Sequence, residues 1–239
     1  MKYLVVVPTY NEHLNIVKLV ESIFRVVPEL DILVVDDNSP DGTGDIADKL
    51  ALSEPRLQVL HRKGKQGLGS AYVAGFKYAL EKGYDFVFEM DADFSHNPKN
   101  LPLFIEKAGA FDVVIGSRYV NGISVVNWPL RRLLLSIMAN LYVRLILGLP
   151  LKDSTSGYKC FRTEVLKSID LNKIKSDGYS FQIELNYRAH KSGFKLCEIP
   201  IIFIDRNTGI SKMNKHIIKE ALLLPWSLRF EYLFGKGKK

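Results

Sequence analysis

The chain has few cysteines and nothing that resembles a leader segment at its start. Cys160 and Cys197 are the only two cysteines among 239 residues, too few for a disulfide framework or a cysteine-based metal site. This usage favours a reducing compartment. The first residues, KYLVVVP, have the composition of a strand, so we expect no signal peptide.

Long apolar runs are also lacking. The stretch 133–149 carries Asn140 and Arg144, and the stretch 217–234 is interrupted by Pro225 and by charged residues. Both fall short of a membrane-spanning helix, so we expect none in this chain. Each fits either an amphipathic helix packed on the core or a helix lying on a membrane surface.

Acidic residues are outnumbered by basic ones. The 33 Lys and Arg residues against 26 Asp and Glu give a formal net charge of +7. This excess indicates an anionic partner, and nucleic acid, anionic lipid and phosphorylated substrates all qualify. The sequence has no recognisable nucleic-acid-binding motif, so a non-enzymatic nucleic-acid-binding protein is the less favoured alternative.

Strand and helix patterns alternate along the first half of the chain. Strand patterns cover 2–8, 31–36, 57–60, a run ending at Met90, and 112–116, and helical patterns cover 12–26, 42–53, 68–81 and 98–108. Such alternation predicts an α/β domain with a mostly parallel sheet and helices on both faces. No repeat or linker divides residues 1–239, so we expect a single domain with a flexible tail at 235–239.

Two carboxylates follow the strand that ends at Met90. Asp91 and Asp93 are two positions apart, and such positions of an extended segment point to the same side. Their repulsion is relieved by a cation or by water. Hard oxygen ligands suit Mg²⁺ or Mn²⁺, with substrate phosphates completing the shell. An isolated pair of this kind also fits a solvated acidic turn.

Three more strand ends carry polar groups: PTYNE at 8–12, DDNS at 36–39 and GSR at 116–118. Taken singly, each fits a helix cap or a turn. In an open parallel sheet, however, these ends meet at one edge, and ligands bind there. Acids, an aromatic ring and an arginine at one edge together predict a site for a nucleotide with a metal-bound diphosphate.

The same motifs, taken together, resemble a known family. VVVPTYNE, VVDDNSPDGT, the DAD at 91–93 and the GSR at 116–118 resemble family 2 glycosyltransferases of the GT-A fold. The segments 61–80, 127–162 and 203–213 resemble polyprenyl-phosphate (dolichyl-phosphate) mannosyltransferases. The resemblance implies a Rossmann-like GT-A sheet with C-terminal amphipathic helices. It also implies inverting transfer of mannose from GDP-mannose to a polyprenyl phosphate, with a UDP-sugar donor, as in a polyprenyl-phosphate glucosyltransferase, as the alternative.

The resemblance further implies three overlapping groups of site residues. The nucleotide-sugar group is Pro8, Tyr10, Glu12, Asp37, Asp91, Ala92, Asp93, Arg118, Arg206 and Lys212, and the loop 63–70 adds Lys65 to it on its own composition. The metal group is Asp91, Asp93 and Ser95, where Ser95 replaces the Gln of some relatives and water is the alternative ligand. The acceptor-phosphate group is Arg118, Ser136 and either or both of Arg131 and Arg132. Catalysis would fall to Asp91, Asp93, Arg118 and Arg206.

The chemistry of this transfer agrees with these residue types. Negative charge builds on the departing diphosphate, and a divalent cation and arginines stabilise it. An acceptor hydroxyl calls for a general base, whereas a phosphate, with a second pKa of about 6, is already anionic. The lack of an obvious base therefore favours a phosphate acceptor held by guanidinium groups. Arg131 and Arg132 also fit a solvated or phospholipid-facing surface.

Location follows from the lipid substrate. The segment 130–147, with Trp128 and two arginines beside it, has the composition of an interfacial helix. We expect a peripheral protein on the cytoplasmic side of a membrane, with or without a membrane-anchoring protein partner. The segment 63–70 lacks the residue order of a P-loop, so we expect a mobile loop that brings Lys65 to the donor phosphate. His96 fits either a turn or a support for the metal motif.

Overall fold

Seven strands form one sheet in the computed structural model, which describes residues 1–174, 176–204 and 215–234, with the backbone alone for 215–219. With the two strands that lie outside this sheet, β6 and β9, the strands of the described residues are β1 (Tyr3–Thr9), β2 (Asp31–Asp36), β3 (Leu57–His61), β4 (Phe86–Glu89), β5 (Val113–Ser117), β6 (Val125–Val126), β7 (Lys159–Arg162), β8 (Leu196–Pro200) and β9 (Phe203–Ile204). The helices are α1 (Ile16–Val26), α2 (Thr43–Ser53), α3 (Leu68–Lys82), α4 (Leu101–Ala108), α5 (Leu130–Leu147), α6 (Thr163–Ser168), α7 (Gly178–Lys191) and α8 (Lys215–Phe234). A short 3-10 turn, Pro98–Asn100, leads into α4.

The strand order of this sheet is β3-β2-β1-β4-β7-β5-β8. Strand β7 is antiparallel to its two neighbours, β4 and β5, and the other pairs are parallel. The predicted α/β class with a mostly parallel sheet is therefore confirmed. Strands β6 and β9 pair separately as a short parallel ribbon. Because β1, β2 and β4 are adjacent and parallel, their carboxyl ends lie at one edge.

Both faces of the sheet are buried. On β1, Val5 and Val7 pack into the apolar cluster that includes residues of α1 and α4. Leu4 and Val6 point the other way, into the cluster formed with α3 and α7. All four side chains are fully buried, as the period of two along a strand requires when helices cover both faces. This packing fixes the strand ends in space.

The first helix begins later than its sequence pattern predicts. The pattern covers 12–26, but α1 starts at Ile16. Asn11 adopts a left-handed backbone conformation with φ of 64°, and the amide of Asn15 donates to the carbonyl of Glu12 in a turn. The reversal after β1 therefore takes up the first predicted helical turn and directs residues 10–12 over the sheet edge.

Helices α5 and α8 pack on each other and leave apolar side chains exposed. Val143, Ile146 and Leu147 of α5 share a buried cluster with Leu228 of α8. The Tyr142 hydroxyl donates to the carbonyl of Leu222 at 2.7 Å. The opposite side of α5 exposes Leu134, Leu135, Met138, Leu141 and Leu145. Half of α5 is thus packed on the protein and half faces outward.

None of the helices in the described part of the chain combines the length and apolar content that a bilayer-spanning segment needs.

The packing of α3 on β1 depends on a small residue. A Cβ atom added to Gly75 would overlap the side chain of Val6. We expect Gly75→Ala to lower the free energy of unfolding by about 1–3 kcal/mol through overpacking, less a gain of up to about 1 kcal/mol in helix propensity. Urea unfolding measures this change. The matched control is Gly109→Ala, where the nearest atom is a carbonyl at 3.4 Å. Equal effects of both substitutions on stability would contradict the close approach of α3.

Candidate active site

The acidic motif after β4 forms a turn at the sheet edge. Phe94 adopts a φ of 62°, which reverses the chain, and the amide of Ser95 donates to Asp93 Oδ1 at 3.0 Å. The side chain of Asp91 is about one-third exposed, at 32%, and its Oδ1 accepts a hydrogen bond from the Tyr72 hydroxyl at 2.9 Å. Both acids therefore have defined orientations at the surface of the edge.

A buried histidine supports this turn. The backbone amide of Asp91 donates to His96 Nδ1 at 3.0 Å. Burial lowers the pKa of His96, against the opposing effect of the nearby acids, so the ring is neutral and carries its proton on Nε2. That nitrogen lies 3.9 Å from Asp91 Oδ2, and the ring stacks on Tyr158 with centroids 4.9 Å apart. This geometry favours a supporting role over a simple turn residue.

A buried acid and a buried lysine lie behind the acidic motif. Glu89 on β4 is the register partner of Lys159 on β7, and both side chains are fully buried. Burial raises the pKa of Glu89 to about 7, against the opposing effect of Lys159, and lowers the pKa of Lys159 to about 8. The Lys159 ammonium donates to the main-chain and side-chain carbonyl oxygens of Gln182. Sequence reasoning missed this pair, although an acid inside the apolar run FVFEM was a signal.

Polar groups also join the ends of β1 and β2. Asp36 is buried and accepts hydrogen bonds from the Thr9 hydroxyl at 2.8 Å and from the Ser39 amide at 2.9 Å and hydroxyl at 2.6 Å. It therefore shapes the turn. The neighbouring Asp37 forms an ion pair with Arg62, with 2.9 Å between Oδ1 and Nη1. Burial raises the pKa of Asp37 although Arg62 opposes this effect.

The loop before α3 closes against the loop after β1. Lys65 Nζ lies 4.1 Å from the centroid of the Tyr10 ring, and Tyr10 is 37% exposed. The backbone amide of Glu12 donates to the Thr43 hydroxyl at 2.9 Å. The side-chain Oε2 of Glu12 accepts a hydrogen bond from Asn15 Nδ2 at 2.8 Å. Pro8 lies in β1, opposite Val35 of β2. The structure thus brings the predicted nucleotide residues of these two loops to the same edge.

A cavity of about 180 Å³ opens beside the acidic motif. Its lining includes Asp91, Arg118, Trp128, Arg132 and Gln182. Arg131, the competing candidate, is exposed and is not among the lining residues. The guanidinium carbon of Arg132 lies 4.2 Å from the Trp128 ring centroid. Of the two neighbouring arginines, Arg132 is therefore the one that the structure brings to the acids.

Arg118 is buried in a bidentate ion pair. Its Nε and Nη2 donate to the two carboxylate oxygens of Asp153 at 2.7 and 2.6 Å, and Nη2 also donates to Thr155 Oγ1 at 2.7 Å. Burial alone would lower the pKa of Arg118, but Asp153 more than offsets this effect and the pKa is raised. Arg118 therefore anchors the cavity wall, and its phosphate contact stays a prediction. Sequence reasoning missed Asp153 and Thr155.

Two further polar groups lie near this wall. The Tyr119 hydroxyl donates to Ser136 Oγ at 2.7 Å. Trp128 Nε1 is buried and has no hydrogen-bond acceptor among the described residues. An indole N–H can only donate, so this group suits an oxygen atom of a ligand.

The remaining predicted site residues fall into two groups. Arg206 and Lys212 lie outside the described residues. Ala92 and Ser95 are buried within the acidic turn. Within residues 1–174, 176–204 and 215–234, no three His, Cys, Asp or Glu side chains are grouped so that they could hold a metal ion. Asp91 and Asp93 alone fit a cation whose other ligands are phosphate oxygens, a hydroxyl or water.

Known proteins share both the sequence and the fold. The family described as "Glycosyl transferase family 2" matches residues 4–170. The "Polyprenol monophosphomannose synthase" of Mycolicibacterium smegmatis is 50% identical over 231 residues, which are 95% of this chain and 87% of that protein. The "Undecaprenyl-phosphate mannosyltransferase" of Micrococcus luteus is 48% identical over 223 residues, 93% of this chain and 92% of that protein.

Among solved structures, glucosyl-3-phosphoglycerate synthase from Mycobacterium tuberculosis in complex with phosphoglyceric acid aligns with a TM-score of 0.67 at 18% identity, covering 94% of this chain and 80% of that one. At that identity the likeness supports the fold, which is of the GT-A type. The sequence match spans more than half of the chain. The chain is thus a glycosyltransferase and belongs to glycosyl transferase family 2.

Proposed function

We propose that this protein transfers mannose, with inversion, from GDP-mannose to a polyprenyl phosphate. The observation that carries the proposal is the similarity over most of both chains, at 50% and 48% identity, to two proteins. One is named a polyprenol monophosphomannose synthase and the other an undecaprenyl-phosphate mannosyltransferase. Family membership also disfavours the non-enzymatic nucleic-acid-binding alternative. The basic net charge then reflects substrates and a membrane surface that are all anionic.

The donor side of the reaction needs groups that hold a nucleoside diphosphate. Asp91 and Asp93 would hold Mg²⁺ or Mn²⁺, and Ser95 or water would complete the shell. When bound, the cation supplies positive charge for the leaving diphosphate. The loops that carry Tyr10, Asp37 and Lys65 would hold the nucleoside, since they follow β1, β2 and β3, and Lys65 lies over the Tyr10 ring.

The acceptor side needs cations and hydrogen-bond donors rather than a base. Arg132 and the buried N–H of Trp128 lie in the cavity wall next to Asp91. Together with Arg118, they would hold an anionic phosphate close to the anomeric carbon of the donor. Ser136, Arg206 and Lys212 remain candidates for further phosphate contacts, in line with the family resemblance. Because the acceptor phosphate is already ionised, direct attack inverts the sugar without a general base.

A lipid acceptor requires that the protein reach the membrane surface. One side of α5 exposes Leu134, Leu135, Met138, Leu141 and Leu145, and α8, which packs on α5, exposes Leu222, Trp226 and Phe230. Arg131 is exposed at the start of α5 and could meet lipid headgroups. We propose peripheral binding through this surface on the cytoplasmic side. Vesicles of lipid alone would reveal whether a membrane-anchoring protein is also required.

The donor is tested with a panel of labelled GDP- and UDP-sugars and a short polyprenyl phosphate, scored for lipid-linked product. We expect product from GDP-mannose and little from UDP-glucose. Product from UDP-glucose in preference to GDP-mannose would replace the proposed donor with the UDP-sugar alternative. Lack of product from every donor would contradict transfer to a polyprenyl phosphate.

We expect Asp93→Ala to lower turnover at least about 100-fold, because charge stabilisation at the leaving group is lost. The folded state should persist, since Asp93 is only partly buried. Product formation and thermal unfolding are measured together. Asp170→Ala is the matched control, because this acid pairs with Lys173 at the surface and does not line the cavity. Turnover that survives in Asp93→Ala would argue against a metal-assisted departure.

The membrane surface is tested by placing charge on the exposed side of α5. Leu134 and Met138 are one turn apart and are 51% and 65% exposed. We expect the double variant Leu134→Glu/Met138→Glu to bind anionic phospholipid vesicles about tenfold or more weakly, because acidic groups replace apolar contact. Turnover of a short water-soluble polyprenyl phosphate should change little. The control Leu52→Glu alters an 89% exposed leucine on α2. Equal vesicle binding by both variants would exclude α5 as the contact.

A further inference from the structure

A buried tyrosine hydroxyl contacts the acidic motif from α3. The ring of Tyr72 is fully buried and stacks on Phe76 and Phe181, with centroids 6.3 and 6.2 Å away. These contacts involve the ring alone, and phenylalanine would satisfy them equally well. The hydroxyl is the one polar atom of the side chain, and it donates to Asp91 Oδ1 at 2.9 Å.

The direction of this hydrogen bond is fixed by charge. Burial raises the pKa of Tyr72 well above its ordinary range, and the negative charges of Asp91 and Glu89 raise it further. The phenol therefore keeps its proton, while the carboxylate of Asp91 accepts it. A buried hydroxyl without an acceptor is costly, so this contact restricts the rotamer of Asp91 as well as that of Tyr72.

Backbone and side chain of Asp91 are thus held from two sides. His96 accepts from the backbone amide of Asp91, and Tyr72 donates to its carboxylate. The position of Tyr72 is set in turn by the start of α3, where the Gly69 amide donates to Asp177 Oδ1 at 2.6 Å. The acid is therefore oriented before any ligand arrives, which is the arrangement that favours tight metal binding.

We propose that Tyr72 is a positioning residue, whose hydroxyl orients the Asp91 carboxylate toward a divalent cation shared with the nucleoside diphosphate. The inference rests on the proposed function for the use of a cation and a nucleotide donor. Tyr72 lies outside the acidic motif, and its hydroxyl would control the metal-dependent part of nucleotide affinity.

The test compares Tyr72→Phe with a matched variant. Tyr84→Phe also removes a tyrosine–aspartate hydrogen bond, from the Tyr84 hydroxyl to Asp31 Oδ2 at 2.8 Å. That pair lies near the starts of β4 and β2, at the opposite edge of the sheet. Calorimetric titration of each full-length variant with GDP, and separately with UDP, is carried out in Mn²⁺ and in EDTA.

We expect Tyr72→Phe to weaken nucleotide binding in Mn²⁺ about tenfold, as is common when a group that orients a metal ligand is removed. Binding in EDTA should be unchanged, and Tyr84→Phe should change neither value. Unchanged binding of Tyr72→Phe in Mn²⁺ would overturn the inference. So would equal weakening in Mn²⁺ and EDTA, since the hydroxyl would then shape the nucleotide pocket as a whole.

Two further measurements separate the proposed role from a loss of stability and from a wrong choice of donor. The extra rise in melting temperature that Mn²⁺ adds to GDP should be smaller in Tyr72→Phe than in Tyr84→Phe, each compared with its own ligand-free protein. A wild-type protein that prefers UDP to GDP contradicts the proposed donor, and the same comparison then proceeds with UDP. A wild-type protein whose nucleotide affinity ignores Mn²⁺ overturns the inference itself.

Discussion

The site depends on compensation of acidic groups that the parallel sheet gathers at one edge. Three of the carboxylates there have partners: Asp36 binds hydroxyl and amide donors, Asp37 pairs with Arg62, and Asp91 accepts from a phenol. The fourth, Glu89, is fully buried, and burial raises its pKa to about 7, which reduces its negative charge. Uncompensated like charges that lie close together repel strongly where water is excluded. The partners therefore allow several acids to coexist, and the acids with the most exposed positions, Asp91 and Asp93, face the ligand side.

The two arginines near these acids do different work. Arg118 is 4% exposed, and two of its nitrogens donate hydrogen bonds to Asp153. Breaking that pair would leave an unpaired charge in the interior. Arg132 lies over the Trp128 ring at the cavity wall. A carboxylate fixes the guanidinium of Arg118, which holds the shape of the wall, while the guanidinium of Arg132 stacks on an indole. Trp128 lies between the two and contacts both.

The sequence predicts what local patterns control. Alternating strand and helix periods predict the sheet, and the polar residues after β1, β2 and β4 predict the edge at which they meet. Strand β7 was not predicted, because it enters between β4 and β5 from a distant part of the chain and in the opposite direction. Lys159 therefore could not be assigned to Glu89. Asp153 and Arg62 were missed for the same reason. Only the tertiary fold brings Asp153 to Arg118 and Arg62 to Asp37.

The position of α5 joins the proposed acceptor site to the proposed membrane surface. Trp128 lies two residues before α5 begins, and Arg132 lies in its first turn, so the cavity adjoins the helix N-terminus. The partial positive charge of that terminus adds to the arginines and favours an anionic phosphate. From there, the exposed apolar side of α5 continues for several turns to Leu145. Because one helix carries both features, a polyprenyl phosphate with its headgroup in the cavity would stay close to the bilayer in which its chain lies.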